Sequence, residues 1–210
     1  MPAHIRAIIF DLDGVLVDAT EWHYSALNRA LALFGYTITR YEHLTSYNGL
    51  PTRKKLEMLS LTKGLPRGLH RLLNAMKQKY TRQEILQNCA PVFAKEYMIS
   101  QLRREGYRLA VCSNAIRESV HLMLDGSGIL DAFDFFVSNE EVQHPKPDPQ
   151  MYRIALERLG IKPEEAVVVE DADPGVQAAK SAGTHVCRVV GYEEVTYSRI
   201  ANFIKKVESQ

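Results

Sequence analysis

Five short apolar runs along the chain stop abruptly at a polar residue or a turn. They are Ile5–Phe10 before Asp11, Leu109–Cys112 before Ser113 and Asn114, Phe133–Val137 before Ser138, Ala166–Val169 before Glu170 and Asp171, and His185–Val190 before Gly191. Short runs rich in Val and Ile suit strands buried on both faces, as in a parallel sheet. Between them, Ser119–Leu124, Pro149–Leu159 and Pro174–Ala182 read as helices, the last closed by Gly183 as a C-cap. Strand alternating with helix predicts an α/β fold with a doubly wound parallel-sheet core. In such sheets ligands bind in the crevice outside the carboxyl ends of the strands. Asp11, Ser113 and Asp171 all fall at that kind of end.

Residues 18–84 break the rhythm. Glu21–Phe34, Arg53–Leu61 and Gly68–Lys79 read as amphipathic helices, separated by turn signals at Asn48-Gly49-Leu50-Pro51 and Gly64-Leu65-Pro66, with no strand-like run among them. The expected organisation is a core built from residues 1–17 and 85–210, with an α-helical cap, 18–84, inserted after the first strand.

Composition removes several classes of function. Lys and Arg number 26 against 25 Asp and Glu, a formal net charge of +1, which gives no electrostatic reason to expect nucleic acid as a partner. No apolar run reaches the ~18–20 residues that span a bilayer, and the opening MPAHIRAIIF runs into Asp11 without a small-residue cleavage site. Cys89, Cys112 and Cys187 are odd in number and far apart, and Cys112 and Cys187 sit in apolar runs, which favours reduced, buried thiols. The expectation is a cytoplasmic protein with no membrane partner, a monomer for want of any interface signal.

Asp11-Leu12-Asp13-Gly14-Val15 carries the strongest local chemistry. Two carboxylates two residues apart on an extended segment can face the same side. One can serve as nucleophile while its neighbour moves protons to the leaving group and from water. Gly14 lets the backbone turn and approach a ligand, although a solvated turn after a strand uses the same residues. Glu170-Asp171 adds two carboxylates, which would repel Asp11 unless a hard cation such as Mg²⁺ lay between them. A helix N-cap is the plainer use of that segment, and of Ser113, whose hydroxyl could instead hold a phosphoryl oxygen. Lys146 lies in His144-Pro145-Lys146-Pro147-Asp148-Pro149, where flanking prolines stiffen the backbone and aim its ammonium. It could neutralise charge shifting between Asp11 and a phosphate. Each plain alternative is respectable singly; the order Asp-x-Asp, Ser, Lys, Glu-Asp, each just past a strand or on a rigid loop, argues against them jointly.

In that combination the chain resembles the haloacid dehalogenase-like hydrolase superfamily, and within it the subfamily that contains β-phosphoglucomutase, phosphoglycolate phosphatase and many sugar phosphatases. The resemblance runs from Ile8 to about Gly191 and rests on FDLDGVLVD, CSNA, HPKPDP and VVVEDADPGVQAAKSAG. It implies a Rossmann-like core with a small helical cap. It implies Asp11 as nucleophile and Asp13 as general acid/base, with Ser113 and the adjacent Asn114 at the phosphate and Lys146 as the stabilising lysine. It further implies Mg²⁺ held by Asp11, Asp13 through its backbone carbonyl, Asp171 and Glu170. Ala19 and Ala172 depart from the Thr and Ser often found there, a loss of local hydrogen bonds.

The reaction this suggests is Mg²⁺-dependent hydrolysis of a small phosphorylated metabolite, a sugar or polyol phosphate, through an aspartyl-phosphate on Asp11. The alternative is a β-phosphoglucomutase-like mutase. His23 resembles a cap-hinge histidine of that enzyme, and Lys77, Lys79 and Tyr80 lie near the later cap, while Arg53 is one place off the mutase's phosphate-gripping arginine. Dehalogenation would leave Asp13 surplus, and phosphonate cleavage would need a Schiff-base lysine such as Lys54, Lys55 or Lys63. A binding protein on the same fold is the remaining class. Arg53, Lys54, Lys55, His23, Trp22 and Tyr47 are the candidates to line the entrance, with Gly14, His23 and Arg53 counted among the substrate contacts.

Overall fold

The computed structural model describes residues 4–209. In chain order they form β1 (Ala7–Phe10), α1 (Thr20–Ala32), α2 (Arg40–Glu42), α3 (Thr52–Lys63), α4 (His70–Asn88), α5 (Phe93–Arg104), β2 (Arg108–Cys112), α6 (Arg117–Gly126), β3 (Phe135–Val137), α7 (Gln150–Leu159), β4 (Ala166–Glu170), α8 (Asp173–Ser181), β5 (His185–Arg188) and α9 (Tyr197–Glu208). The five strands make one parallel sheet in the order β3-β2-β1-β4-β5.

Alternation along each strand sorts its residues between two helical layers. Ile8, Phe10, Leu109, Val111, Val167 and Val169 turn toward one layer, packed with Ile99, Leu102, Val120, Met123, Ile200 and Ile204 of α5, α6 and α9. Ala7, Ile9, Ala110, Cys112, Ala166 and Val168 turn toward the other, against Met151, Tyr152, Ala155, Ala178 and Ala179 of α7 and α8. Small alanines on that side leave room for the Tyr152 ring, which is fully buried. Each wholly enclosed Leu, Ile or Phe side chain contributes roughly 1.5–3 kcal/mol relative to exposure. The central strand β1 is buried at every residue, so its carboxyl end, and Asp11 with it, is held from all sides.

The residues between β1 and β2 build a third apolar cluster, in which Leu27, Ala30 and Leu31 of α1 meet Leu56 and Leu59 of α3 and Leu73 of α4. α3 ends at Gly64 with φ +69°, a conformation natural to glycine. A single turn of π-helix, His43–Tyr47, follows α2. Helix α4 runs on to Asn88, past the expected end at Lys79 and through the boundary expected at residue 84. Ile85 on its last turns joins the core under the sheet, so burial on the core side extends a helix that periodicity alone closes early. Two entrance candidates also belong to cores rather than to the crevice. Trp22 packs against the sheet-side cluster, and Tyr47 is buried among the α1, α3 and α4 leucines. Among the described residues no helix is long and apolar enough to cross a membrane, and Cys89, Cys112 and Cys187 are free thiols.

Candidate active site

The carboxyl ends of β1, β2 and β4 meet at a crevice, and the loop before α7 reaches into it. Lys146 comes from that loop, whose Lys146–Pro147 peptide is cis. Its Nζ donates to Asp11 Oδ1 at 2.6 Å, to Glu170 Oε1 at 2.6 Å and to the Cys112 carbonyl at 2.8 Å. All three ammonium hydrogens therefore have partners, and the lysine is 4% exposed. Burial alone would lower the Lys146 pKa, but the charges of Asp11 and Glu170 outweigh it and hold the group well above its ordinary value. Burial, then Glu170, push Asp11 well above the usual carboxylate range against the pull of Lys146. The Tyr152 hydroxyl donates to Glu170 Oε1 at 2.7 Å. Tyr152 was not legible as a site residue, since in sequence it is one apolar position of α7. The available signal was that a buried tyrosine hydroxyl needs a partner.

Asp13 faces another way. Its Oδ1 lies 2.8 Å from His23 Nε2, and His23 Nδ1 lies 3.2 Å from Lys77 Nζ. Because an ammonium can only donate, Nδ1 accepts and Nε2–H donates to Asp13, so a neutral imidazole links the two charges. Burial, and then Lys77, lower the His23 pKa, which keeps the ring neutral. Burial would raise Asp13, but His23, then Lys77 and Lys55, bring it below the usual range. Ser113 Oγ donates to Asp13 Oδ2 at 3.4 Å and accepts from the Ala115 amide at 3.0 Å. The Ser113 amide itself donates to the Val137 carbonyl at 3.0 Å.

Asn114 lines the crevice, yet its side-chain amide is taken by backbone. Nδ2 donates to the Gly49 and Lys146 carbonyls at 3.2 and 3.4 Å, and Oδ1 accepts from the Lys146 amide at 3.1 Å. The structure thus uses Asn114 to tie the loop before α3 and the Lys146 loop to the end of β2.

Asp11, Glu170 and Asp171 bring one carboxylate oxygen each to within 4.8 Å of one another. Asp171 Oδ1 is buried without a hydrogen-bond partner, and burial, then Glu170, lift this carboxyl to about 7. Two glycines make the room. A Cβ on Gly14, which sits at φ +83°, would meet Asp171 Oδ2 at 2.3 Å, and one on Gly175 would meet Glu170 Oε1 at 1.8 Å. A buried, unpaired carboxylate oxygen beside two further carboxylates fits a hard divalent cation with oxygen ligands. The Asp13 carboxylate is not in this group, being turned to His23 and Ser113.

The cationic candidates on α3 separate cleanly. Arg53 does not join the site: its side chain is 90% exposed and pairs with Glu57 at 3.2 Å one helical turn away. Lys54 is exposed, and Lys63 pairs with Glu42 at 2.7 Å. Lys55, in contrast, is buried and lines the crevice with His23 and Lys77. Helical phase decides the matter, since Arg53, Lys54 and Lys55 point 100° apart and one of them faces inward.

The arrangement can hold a phosphoryl group between a nucleophile-ready carboxylate, a fixed ammonium and a group able to carry a proton. Comparison with known proteins agrees in kind. The haloacid dehalogenase-like hydrolase family model matches residues 8–189. The chain is 31% identical to the pyrophosphatase PpaX of Bacillus velezensis over 88% of this chain and 83% of that protein. It is 29% identical to a phosphoglycolate phosphatase of Aquifex aeolicus over 98% of both. In fold it matches the crystal structure of a β-phosphoglucomutase from Clostridium difficile at a TM-score of 0.84, with 20% identity, covering 98% of this chain and all of that one.

Proposed function

The chain belongs to the haloacid dehalogenase-like hydrolases and is a phosphoric monoester hydrolase of that family, and from that premise we propose that it dephosphorylates a small sugar or polyol phosphate through an aspartyl-phosphate on Asp11. The observation that carries this reading is Lys146, pinned 2.6 Å from both Asp11 and Glu170. Such a buried ammonium opposes the burial and the Glu170 charge that raise Asp11, and it stands ready for phosphoryl charge.

Asp11 Oδ2, free of Lys146, attacks phosphorus; the bond to the ester oxygen breaks and its electrons leave with the alcohol. Asp13 delivers the proton that oxygen needs. Asp13 is ionised in the present arrangement; the approach of a phosphate dianion raises its proton affinity, so it takes up a proton from water with the substrate and passes that proton to the leaving oxygen. In the second half the Asp13 carboxylate takes a proton from water, the water oxygen bonds to phosphorus, and the Asp11–phosphorus bond breaks, returning Asp11 and releasing phosphate. His23 holds Asp13 in register through both halves. Ser113, joined to the same carboxylate, is placed to meet a phosphoryl oxygen. Asp11, Glu170 and Asp171 would hold Mg²⁺, whose chemistry is to screen the carboxylates from the phosphate and polarise it. The helices α1 to α4 act as the cap that excludes bulk water and large substrates.

A phosphomutase is the second reading, favoured by one observation. The link Asp13–His23–Lys77 ties the proton-moving carboxylate to α1 and α4, so closure and proton transfer are coupled, which a mutase needs in order to keep water out. The exposed position of Arg53 counts against it. Phosphate release from a panel of phosphate monoesters, with Mg²⁺ and with EDTA, tests the first reading, and conversion of β-glucose 1-phosphate to the 6-phosphate tests the second. Metal-dependent release that disappears in Asp11→Asn is expected; release that persists in Asp11→Asn would remove the covalent step.

A further inference from the structure

The chain passes twice between the sheet core and the helices α1 to α4, outward after β1 and back after α4. Val17 and Asp18 on the first passage and Asn88 and Cys89 on the second line one recess of about 190 Å³. Leu16, Trp22 and Val92 complete its apolar walls, and it shares no lining residue with the catalytic crevice. A cavity of about 150 Å³ holds benzene, so this one has room for a single aromatic ring bearing one small group. Trp22, the one tryptophan of the chain, stands in its wall.

Lys95, on the first turn of α5, adds a charge to this lining. It is 4% exposed. Its Nζ donates to the Tyr192 carbonyl at 2.6 Å and the Val195 carbonyl at 2.8 Å, and lies 3.8 Å from the centre of the Tyr192 ring. Lys146 has two carboxylate partners; among the described residues Lys95 has none within ion-pair distance. Neutral carbonyls and a ring face soften a buried charge without cancelling it, and burial lowers this ammonium to about 8. Buried cations are normally matched by an anion. Asp18, the one acidic residue of the lining, is exposed and keeps its charge in water.

We propose that this recess binds a small aromatic carboxylate, its carboxylate on Lys95 and its ring against Trp22, and that occupancy changes how α1 to α4 close over the crevice. The carboxylate supplies the anion that Lys95 lacks, and a flat ring matches both the volume and the indole, on which it can stack. Hinges are the few residues at element ends that absorb a closing motion. Residues of both passages shape the recess, so closure alters its walls, and a ligand that fits one state better shifts the balance toward it. The site itself is independent of the phosphatase reading; only its effect on turnover rests on that reading.

Benzoate is the probe, with benzamide as its neutral counterpart and acetate as an anion without a ring. Each is titrated into the full-length protein while Trp22 fluorescence is followed. Benzoate is expected to give a saturable change with a Kd at least about tenfold below those of the other two, as a charge-assisted contact to a buried ammonium requires. Lys95→Met removes the ammonium. Val92→Asp puts a competing carboxylate on the lining, at the N-cap of α5, where no side chain now caps the helix and an aspartate is well tolerated. In both variants the preference for benzoate over benzamide should fall to about threefold or less. A ratio measured on one sample does not depend on how much of the variant is folded. No saturable change with benzoate, equal affinity for benzamide, or a preference that survives Lys95→Met (or Val92→Asp, should the first variant fail to fold) overturns the site. Saturating benzoate should also change phosphate release by wild type at least about twofold and leave that of Val92→Asp as it was. Binding without any change in turnover overturns the coupling to closure. If no phosphate monoester is hydrolysed at all, the phosphatase reading is what fails, and the fluorescence titration still decides the site.

Discussion

The proposed reaction needs Asp11 buried, ionised and free to attack, and its neighbours are arranged around that conflict. Lys146 eases it, against burial and the charge of Glu170, by sharing one ammonium between the two carboxylates. Lys146→Met strands both carboxylates, and removing one partner of a buried pair costs about 3–5 kcal/mol. We expect that loss in urea unfolding, together with a fall in turnover of at least about a thousandfold, the scale seen when one member of a catalytic unit is removed. Gly175 is a subtler case. A methyl group there would meet Glu170 Oε1 at 1.8 Å, so Gly175→Ala must swing the Glu170 carboxylate away. The expected result is a tenfold or greater weakening of apparent Mg²⁺ affinity, measured from activity against metal concentration, the scale at which outer partners of metal ligands act. In the sequence Gly175 is one more helix residue; its need for hydrogen in place of methyl exists only once β4 and α8 are packed.

The helices between β1 and β2 show what an element can hide. His43 on the π-turn is wholly enclosed and neither ring nitrogen has a hydrogen-bond partner. Burial, then Lys55, depress its pKa from 6.5 to about 4. A histidine depressed in the folded state is protonated more readily by the unfolded chain, so the protein keeps full stability above about pH 6.5. It loses up to about 3 kcal/mol as pH falls from there toward 4. His43→Phe should remove that sensitivity and melt no lower at pH 7, because an apolar ring leaves no unpaired nitrogen. Thermal melts of both proteins at pH 7 and 5 check this, and an unchanged acid response in the variant would refute it. Periodicity located α1, α3 and the start of α4, since their leucines recur at helical spacing. It missed the last turns of α4, where Ile85 is buried by another part of the chain.

Across the whole molecule, the candidate metal ligands Asp11, Glu170 and Asp171 and the proposed proton carrier Asp13 line one crevice. Asp171 is lifted to about 7 by burial and Glu170, so metal binding must displace a proton from the carboxylate group as pH falls below that value. Apparent Mg²⁺ affinity is expected to change little between pH 8 and 9. Between pH 7 and 6 it should weaken by up to about tenfold, with proton release seen by calorimetry in buffers of different ionisation enthalpy. Equal affinity at pH 6 and 8 would show that the site is ionised before the metal arrives. EDTA should abolish turnover and Mg²⁺ restore it.

The sequence by itself determined the parallel sheet, the helical insertion after β1 and the residues Asp11, Asp13, Ser113, Lys146, Glu170 and Asp171 as a set. Each of these follows from local pattern: apolar runs that end in polar residues, and motifs whose order is written along the chain. Tertiary structure alone decided which lysine of Arg53-Lys54-Lys55 turns inward, that Tyr152 serves Glu170, and that Trp22 and Tyr47 belong to cores. It also decided that Asn114 binds loops together rather than facing the crevice freely. Those outcomes depend on helical phase and on desolvation by distant segments, and neither exists until the helices have docked on the sheet.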